Sequence, residues 1–286
     1  RVLRLDDKDE RIITMCGMAG GFSALFGTPL AAAVFAMEVE SIGVMYYAAL
    51  VPCVLSALIA NVISSLFGVA STSFTLAAIP ELSAISLLQT IGLGIVFGAL
   101  ASLFCRAMHT GGTLYKKIEN PYLRIVVGGC IVVLLSLLVR SGDYNGAGMS
   151  VISAALAGHA VPWAFALKIV FTVLTLGAGF KGGEIVPCFF VGATCGCVVA
   201  PLLGMDAGFG AALGLIAVFC GVTNSPMTSI LLGYELFGGQ GLALLAMCAA
   251  VSYLLSGYSG LYREQKIIYS KTSPVFIGRK GGEEKQ

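Results

Sequence analysis

Apolar residues run along this chain in long stretches, broken by glycine, proline and short polar clusters. Three runs, Tyr47 to Phe67, Leu87 to Met108 and Leu123 to Val139, approach the roughly 20 residues that a helix needs to cross a bilayer. Two more apolar helices are predicted over Ile12 to Phe26 and Phe209 to Gly221. Other runs are shorter and end at Gly or Pro: Pro29 to Met37, Phe165 to Leu176, Pro187 to Leu203 and Pro226 to Phe237. Interrupted segments of that length predict half-spanning helices, whose ends meet a substrate near the middle of the membrane. A polar, Gly-rich connection is expected over Ser141 to Gly148, followed by an interfacial helix over Met149 to Gly158.

Composition turns this pattern into a statement about solvent. Hydrophobic residues are 57% of the chain and charged residues 11%, against about 25% charged in an ordinary soluble domain. Mean hydropathy is +0.92. From Ile12 to Cys105 the only charged side chains are Glu38, Glu40 and Glu81, and Leu236 to Tyr262 has none. Such stretches cannot build a polar shell, so the expected solvent is lipid and the expected class an all-α, multi-pass integral membrane protein. Charge collects instead in Arg1 to Arg11, Arg106 to Arg124 and the end of the chain. Arg263, Lys266, Lys271, Arg279 and Lys280 predict a cytoplasmic tail, with a disordered end.

The remaining chemistry is sparse. A net charge of +2 gives no footprint for nucleic acid. Of the nine cysteines, nearly all fall in apolar runs, where a cysteine acts as a small buried hydrophobe. Cys195 and Cys197 are on different faces of a helix, and the two histidines, His109 and His159, are remote from the cysteines in sequence. No metal-ligand spacing emerges, and no cofactor or catalytic residue is expected.

One motif occurs twice. Gly27-Thr-Pro-Leu-Ala-Ala-Ala-Val-Phe-Ala-Met-Glu38 and Asn224-Ser-Pro-Met-Thr-Ser-Ile-Leu-Leu-Gly-Tyr-Glu235 share a proline at the third position and a glutamate nine residues later. Each follows a Gly-containing apolar helix. Pro29 and Pro226 suit a first helical turn, where the missing N–H has no partner to lose. Glu38 and Glu235 then mark either a boundary with water or a buried polar contact. The pairing predicts an internal duplication with an offset of 197 residues. Carried back by that offset, Pro187 falls before Arg1, so the first copy is expected to lack a half-helix that the second copy keeps.

These motifs, with Lys168 to Phe180 and Gly183-Glu-Ile-Val-Pro187, resemble the CLC anion channels and transporters from Arg1 to about Tyr262. The resemblance implies a CLC-type inverted-repeat bundle of full and half-spanning helices, incomplete at its N-terminus. Residues 1–120 would be the rest of a first repeat and 121–256 a second repeat. A pore-facing helix over 257–270 and a cytoplasmic tail over 271–286 would follow. Pro187 at the start of a Cys188 to Leu203 helix would leave backbone N–H groups at Glu184 and Ile185 pointing off a positively polarised helix end. Gly182 and Gly183 would let the backbone approach closely. By resemblance, Gly183, Glu184, Ile185 and Val186 bind the anion, and Tyr262 adds a hydroxyl, with Tyr258 close by in sequence.

Three departures refine the likeness. Ile185 replaces the usual phenylalanine and Glu184 precedes it, a form that resembles the fluoride/proton antiporter branch and implies that Glu184 couples protons. An ionisable group in the membrane is a functional candidate in its own right. That branch often has threonine where Val186 stands. Val39 occupies the position of an internal proton-transfer glutamate in chloride/proton exchangers. The implied partners are halide anions (chloride or fluoride), protons, the lipid bilayer and a second copy in a homodimer. The implied location is a bacterial-type plasma membrane. A non-transporting truncated remnant or dimerising scaffold, or a membrane-embedded enzyme, are the alternatives.

Overall fold

The computed structural model describes residues 6–69, 71–273 and 275–280. Two units divide the chain. The first takes in the described parts of Arg1–Thr75, Asn224–Leu242 and Tyr262–Gln286, and the second comprises Leu76–Thr223 and Ala243–Leu261.

Helix α1 (Asp7–Phe26) opens the first unit, with the Asp6 carboxylate accepting from the N–H groups of Lys8 and Asp9 at 3.0 and 2.8 Å. It ends at Gly27, whose φ of +70° is left-handed, and a Cβ there would collide with Ser71. After α2 (Pro29–Glu38) and a 3₁₀ turn over Tyr47–Ala49 comes α3 (Leu50–Leu66). Serine hydroxyls tie α1 to α3: Ser23 donates to the Ala57 carbonyl, Ser56 to Cys16 and Ser64 to Ala24, at 2.7 to 2.8 Å. Small residues and crossing hydroxyls are how helices adhere where lipid removes any hydrophobic drive between them.

The two copies of the motif interlock. Helix α10 (Pro226–Phe237) packs on α2, and each glutamate caps the other helix. The Glu38 carboxylate accepts from the Met227 and Thr228 N–H groups at 3.0 and 2.8 Å, and from the Thr228 hydroxyl at 2.6 Å. The Glu235 carboxylate accepts from the Leu30 and Ala31 N–H groups at 2.9 and 2.8 Å. A helix N-terminus has four unpaired N–H groups and a positive dipole end. Each carboxylate satisfies both needs, so the glutamates make buried polar contacts. The backbones match as well. Thr28 (φ −122°, ψ 74°) and Ser225 (φ −121°, ψ 76°) precede the prolines, and Gly27 (φ +70°) and Asn224 (φ +58°) precede those.

A three-stranded sheet closes this unit, in the order β1 (Ser41–Ile42), β2 (Lys266–Tyr269), β3 (Phe276–Lys280). β1 and β2 are parallel, with Ser41 opposite Lys266, and β2 and β3 are antiparallel, with Tyr269 opposite Phe276. This corrects two expectations. No helix forms over 257–270: turns lead into β2 instead, since Ile267, Ile268 and Tyr269 favour an extended backbone. The segment expected as a disordered tail contributes β3, while 281–286 lie outside the described residues. An otherwise helical fold therefore carries one small sheet.

In the second unit, α4 (Ala84–Tyr115) runs for 32 residues, about 48 Å at 1.5 Å per residue, longer than the apolar run that predicted it. Its start is a capping box, Ser83 and Ser86 exchanging side-chain and backbone bonds. Helices α5 (Pro121–Val139), α6 (Met149–Leu156), α7 (Ala164–Gly177), α8 (Ile185–Val199), α9 (Ala207–Thr223) and α11 (Leu242–Leu255) complete it. A 3₁₀ turn, Ala200–Leu203, extends α8, so Ile185–Leu203 is a 19-residue segment long and apolar enough, by length and composition, to cross a bilayer. Tyr47–Leu66, Ala84–Tyr115 and Pro121–Val139 are also long and apolar enough. Leu134, Leu137 and Leu138 on α5 are exposed, an arrangement that lipid favours and water does not.

The centre of this unit is the contact between α8 and α9, where two pairs of glycines bring backbones together. A Cβ on Gly192 would strike the Gly214 carbonyl oxygen, and one on Gly196 the Gly210 carbonyl oxygen. Every residue from Gly208 to Thr223 is buried. Because the obstacle is backbone, a Gly196→Ala protein is expected to lose about 1–3 kcal/mol of stability. A drop in its unfolding midpoint in detergent would show this, and an unchanged midpoint would contradict it.

Candidate functional site

Residues 178–184 connect α7 to α8. Glu184 (φ −96°, ψ −19°) is the residue before the first helical turn, and the first bond of α8 runs from the Cys188 N–H to the Glu184 carbonyl at 3.2 Å. The helix thus begins at Ile185, three residues earlier than expected, and Pro187 sits inside the first turn, where it forfeits no bond. The backbone N–H groups of Glu184, Ile185 and Val186 have no hydrogen-bond acceptor among the described residues. Neither does the half-buried Glu184 carboxylate have a donor. Free N–H groups at the positive end of a helix form a ready anion site.

The glycines before it behave differently from one another. A Cβ at Gly182 would approach Leu176 Cδ2 to 3.0 Å, whereas at Gly183 it would meet nothing within 4 Å. Neither glycine has a positive φ. Gly183 is therefore required neither by the backbone angle nor by the packing.

What holds the start of α8 in place comes from Lys168 and Tyr144. Lys168 is 1% exposed. Its ammonium donates to the carbonyls of Tyr144 and Gly146 at 3.1 and 2.7 Å and lies 4.9 Å from the centre of the Phe190 ring. Tyr144 stacks on Phe171 and meets Phe190 edge-on. A buried lysine survives through such partners. Here they pin the 141–148 connection and α7 to the first turns of α8.

Tyr262 belongs to the first unit, and 182–186 to the second. Tyr262 lines a cavity of about 500 Å³, together with Arg11, Met15, Val39, Glu40 and Gln265. Arg11 binds Glu40 through two contacts, 2.6 and 2.8 Å, and its guanidinium lies 4.2 Å over the Tyr46 ring. Val39, which contributes no proton-transfer group, faces the same cavity. Tyr258 belongs to the second unit.

Some of these residues gave no sign in the sequence. Gln265 is buried and bonded to Val39 and Asn224, and nothing in its surroundings marks it. Asn224 did leave a trace: it replaces Gly27 in the second motif copy, and asparagine is among the few residues that tolerate a left-handed φ. Seven of the nine free cysteines are buried. Among the described residues no group of His, Cys, Asp or Glu side chains is placed to hold a metal ion.

Comparison with known proteins agrees with this architecture. The family model for the voltage gated chloride channel matches residues 1–257. A chloride/fluoride channel protein of Pseudomonas syringae pv. tomato is 39% identical over 277 residues, which are 94% of this chain and 61% of that protein. The crystal structure of a CLC-type fluoride/proton antiporter superposes with a TM-score of 0.86 at 36% identity, over 90% of this chain and 65% of that one. A slow cyanobacterial Cl⁻/H⁺ antiporter, at 18% identity and a TM-score of 0.73 over 88% of this chain and 63% of that one, shares the fold. The chain thus spans less than two thirds of the length of these relatives, which are channels and transporters. With its apolar helices and a family match over nearly its whole length, this is an integral membrane protein, and it belongs to the voltage gated chloride channel family.

Proposed function

We propose that this chain carries the anion-binding half-site of a CLC-type transporter that moves fluoride, and less readily chloride, in exchange for protons across a bacterial plasma membrane. The observation that carries this reading is the start of α8: N–H groups at Glu184, Ile185 and Val186 without an acceptor among the described residues, and a carboxylate on the first of these residues without a donor among them. The amides offer a dehydrated anion the hydrogen bonds that water gave it, and the helix dipole offsets its charge. Glu184 supplies an ionisable group where the anion sits, so that a proton and an anion can be exchanged at one place. The likeness to a chloride/fluoride channel protein and a fluoride/proton antiporter supports the choice of substrate. Tyr262 adds an anion contact of its own, and the protein acts as a homodimer.

The N-terminal site has a direct test in Gly183→Val. The backbone tolerates a side chain there and no atom lies within 4 Å of its Cβ, so the fold is expected to survive while the approach to the amides is blocked. Calorimetric titration of the full-length protein with fluoride is expected to show binding weakened by about tenfold or more, the loss of roughly one hydrogen bond to an ion. An unchanged affinity would remove the site from 183–186.

A further inference from the structure

We propose that Gln265 is a positioning residue for the Tyr262 hydroxyl, fixing it through one buried chain of amide hydrogen bonds that reaches both copies of the Pro–Glu motif. The proposal rests on the reading of Tyr262 as an anion contact. Tyr262 and Gln265 are the two ends of one tight turn, closed by the Gln265 N–H donating to the Tyr262 carbonyl at 3.1 Å. Both residues line the 500 Å³ cavity. The Gln265 side chain is 4% exposed and points away from water. Its Nε2 donates to the Val39 carbonyl at 2.8 Å, at the C-terminal cap of α2. Its Oε1 accepts from Asn224 Nδ2 at 2.9 Å, two residues before α10.

The direction of this chain is set at its far end. Lys271 Nζ can only donate, and it donates to Asn224 Oδ1. That leaves Asn224 Nδ2 as the donor to Gln265, which leaves Gln265 Nε2 as the donor to Val39. Each amide has one orientation that satisfies its neighbours. Asn224 is also held at φ +58°, where an ordinary residue would be strained. Next to the turn, the Lys266 N–H donates to the Glu40 carbonyl at 3.1 Å, beginning the pairing of β1 with β2. The tyrosine therefore sits on a turn bolted at Gln265 to the end of one motif helix and the start of the other. Only a neutral side chain with a donor and an acceptor at that reach completes the chain.

The test uses full-length protein in liposomes and measures the fluoride concentration for half-maximal efflux in Tyr262→Phe, Gln265→Met and the double variant. Methionine keeps the length and neutrality and removes both bonds. Tyr262→Phe is expected to raise the half-saturating concentration about tenfold, one hydrogen bond to an anion. Gln265→Met is expected to raise it by a similar factor, and the double variant no further than Tyr262→Phe alone. The ¹⁹F signal of 3-fluorotyrosine at position 262 is expected to shift and broaden in Gln265→Met. Asn224→Gly keeps the left-handed backbone but removes the orienting amide. It is expected to move both readouts in the same direction, and it serves in place of Gln265→Met should that variant fail to fold. Additive effects, or an unmoved ¹⁹F signal, would overturn the role of Gln265 while leaving Tyr262 as an anion contact. A silent Tyr262→Phe would overturn the tyrosine reading and the proposal with it.

Discussion

Replacing Glu184 with glutamine is expected to abolish the ability of a pH gradient to drive fluoride into liposomes, while the protein still folds. Glutamine has the size and neutrality of the protonated glutamate but cannot release a proton. Glu184 is half-buried at the start of α8 and its carboxylate has no hydrogen-bond donor among the described residues. No partner in the fold is therefore lost with its charge, so stability should change little. A positioned proton-transfer group contributes about a hundredfold at least, so proton-driven uptake should fall by that factor or more. Fluoride uptake that follows the pH gradient equally well in both proteins would show that the coupling group is elsewhere.

The largest expected effect on stability is at Glu38. Glu38 is 7% exposed, and its carboxylate accepts from the Met227 and Thr228 N–H groups and the Thr228 hydroxyl. Glu38→Ala leaves two helix N–H groups and a hydroxyl without that acceptor; Met227 is 53% exposed, but the N–H and the hydroxyl of Thr228 are both buried. An abandoned buried donor costs about 1–3 kcal/mol, so a total of about 3 kcal/mol or more is expected. Among the described residues Glu235 accepts from the Leu30 and Ala31 N–H groups only, and of these Ala31 alone is buried, one buried donor against two at Glu38. Glu235→Ala should cost about 1 kcal/mol, near the ordinary value of a helix cap. Unfolding midpoints of the two variants in detergent should therefore differ clearly. Equal midpoints would mean that the two caps do not differ in burial as described.

Glu38 and Glu235 also show where sequence reading stops. The repeated proline and glutamate were visible as a spacing, and so was the alternative of water or a buried contact. That Glu38 serves the helix of the other copy was not visible, because the bond joins residues about 190 positions apart and spacing carries no partner. The long apolar runs predicted helices correctly, because burial in lipid requires continuous hydrophobicity and little else. Their ends were less legible: Ile185 to Pro187 joined α8 because a first turn accepts proline and free N–H groups. The segment after Tyr262 was read as helix, although Ile267-Ile268-Tyr269 favours a strand. Its strand partners, Ser41–Ile42 and Phe276–Lys280, lie on either side in sequence and one is only two residues long. Gln265 could not be found at all, since a buried amide is defined by what surrounds it.

Fluoride efflux from liposomes containing the full-length protein, followed together with lumenal pH, tests the central claim most directly. With fluoride inside, the account predicts that fluoride leaves, the lumen acidifies in step with it, and chloride moves more slowly. Protein-dependent efflux of neither fluoride nor chloride would contradict it.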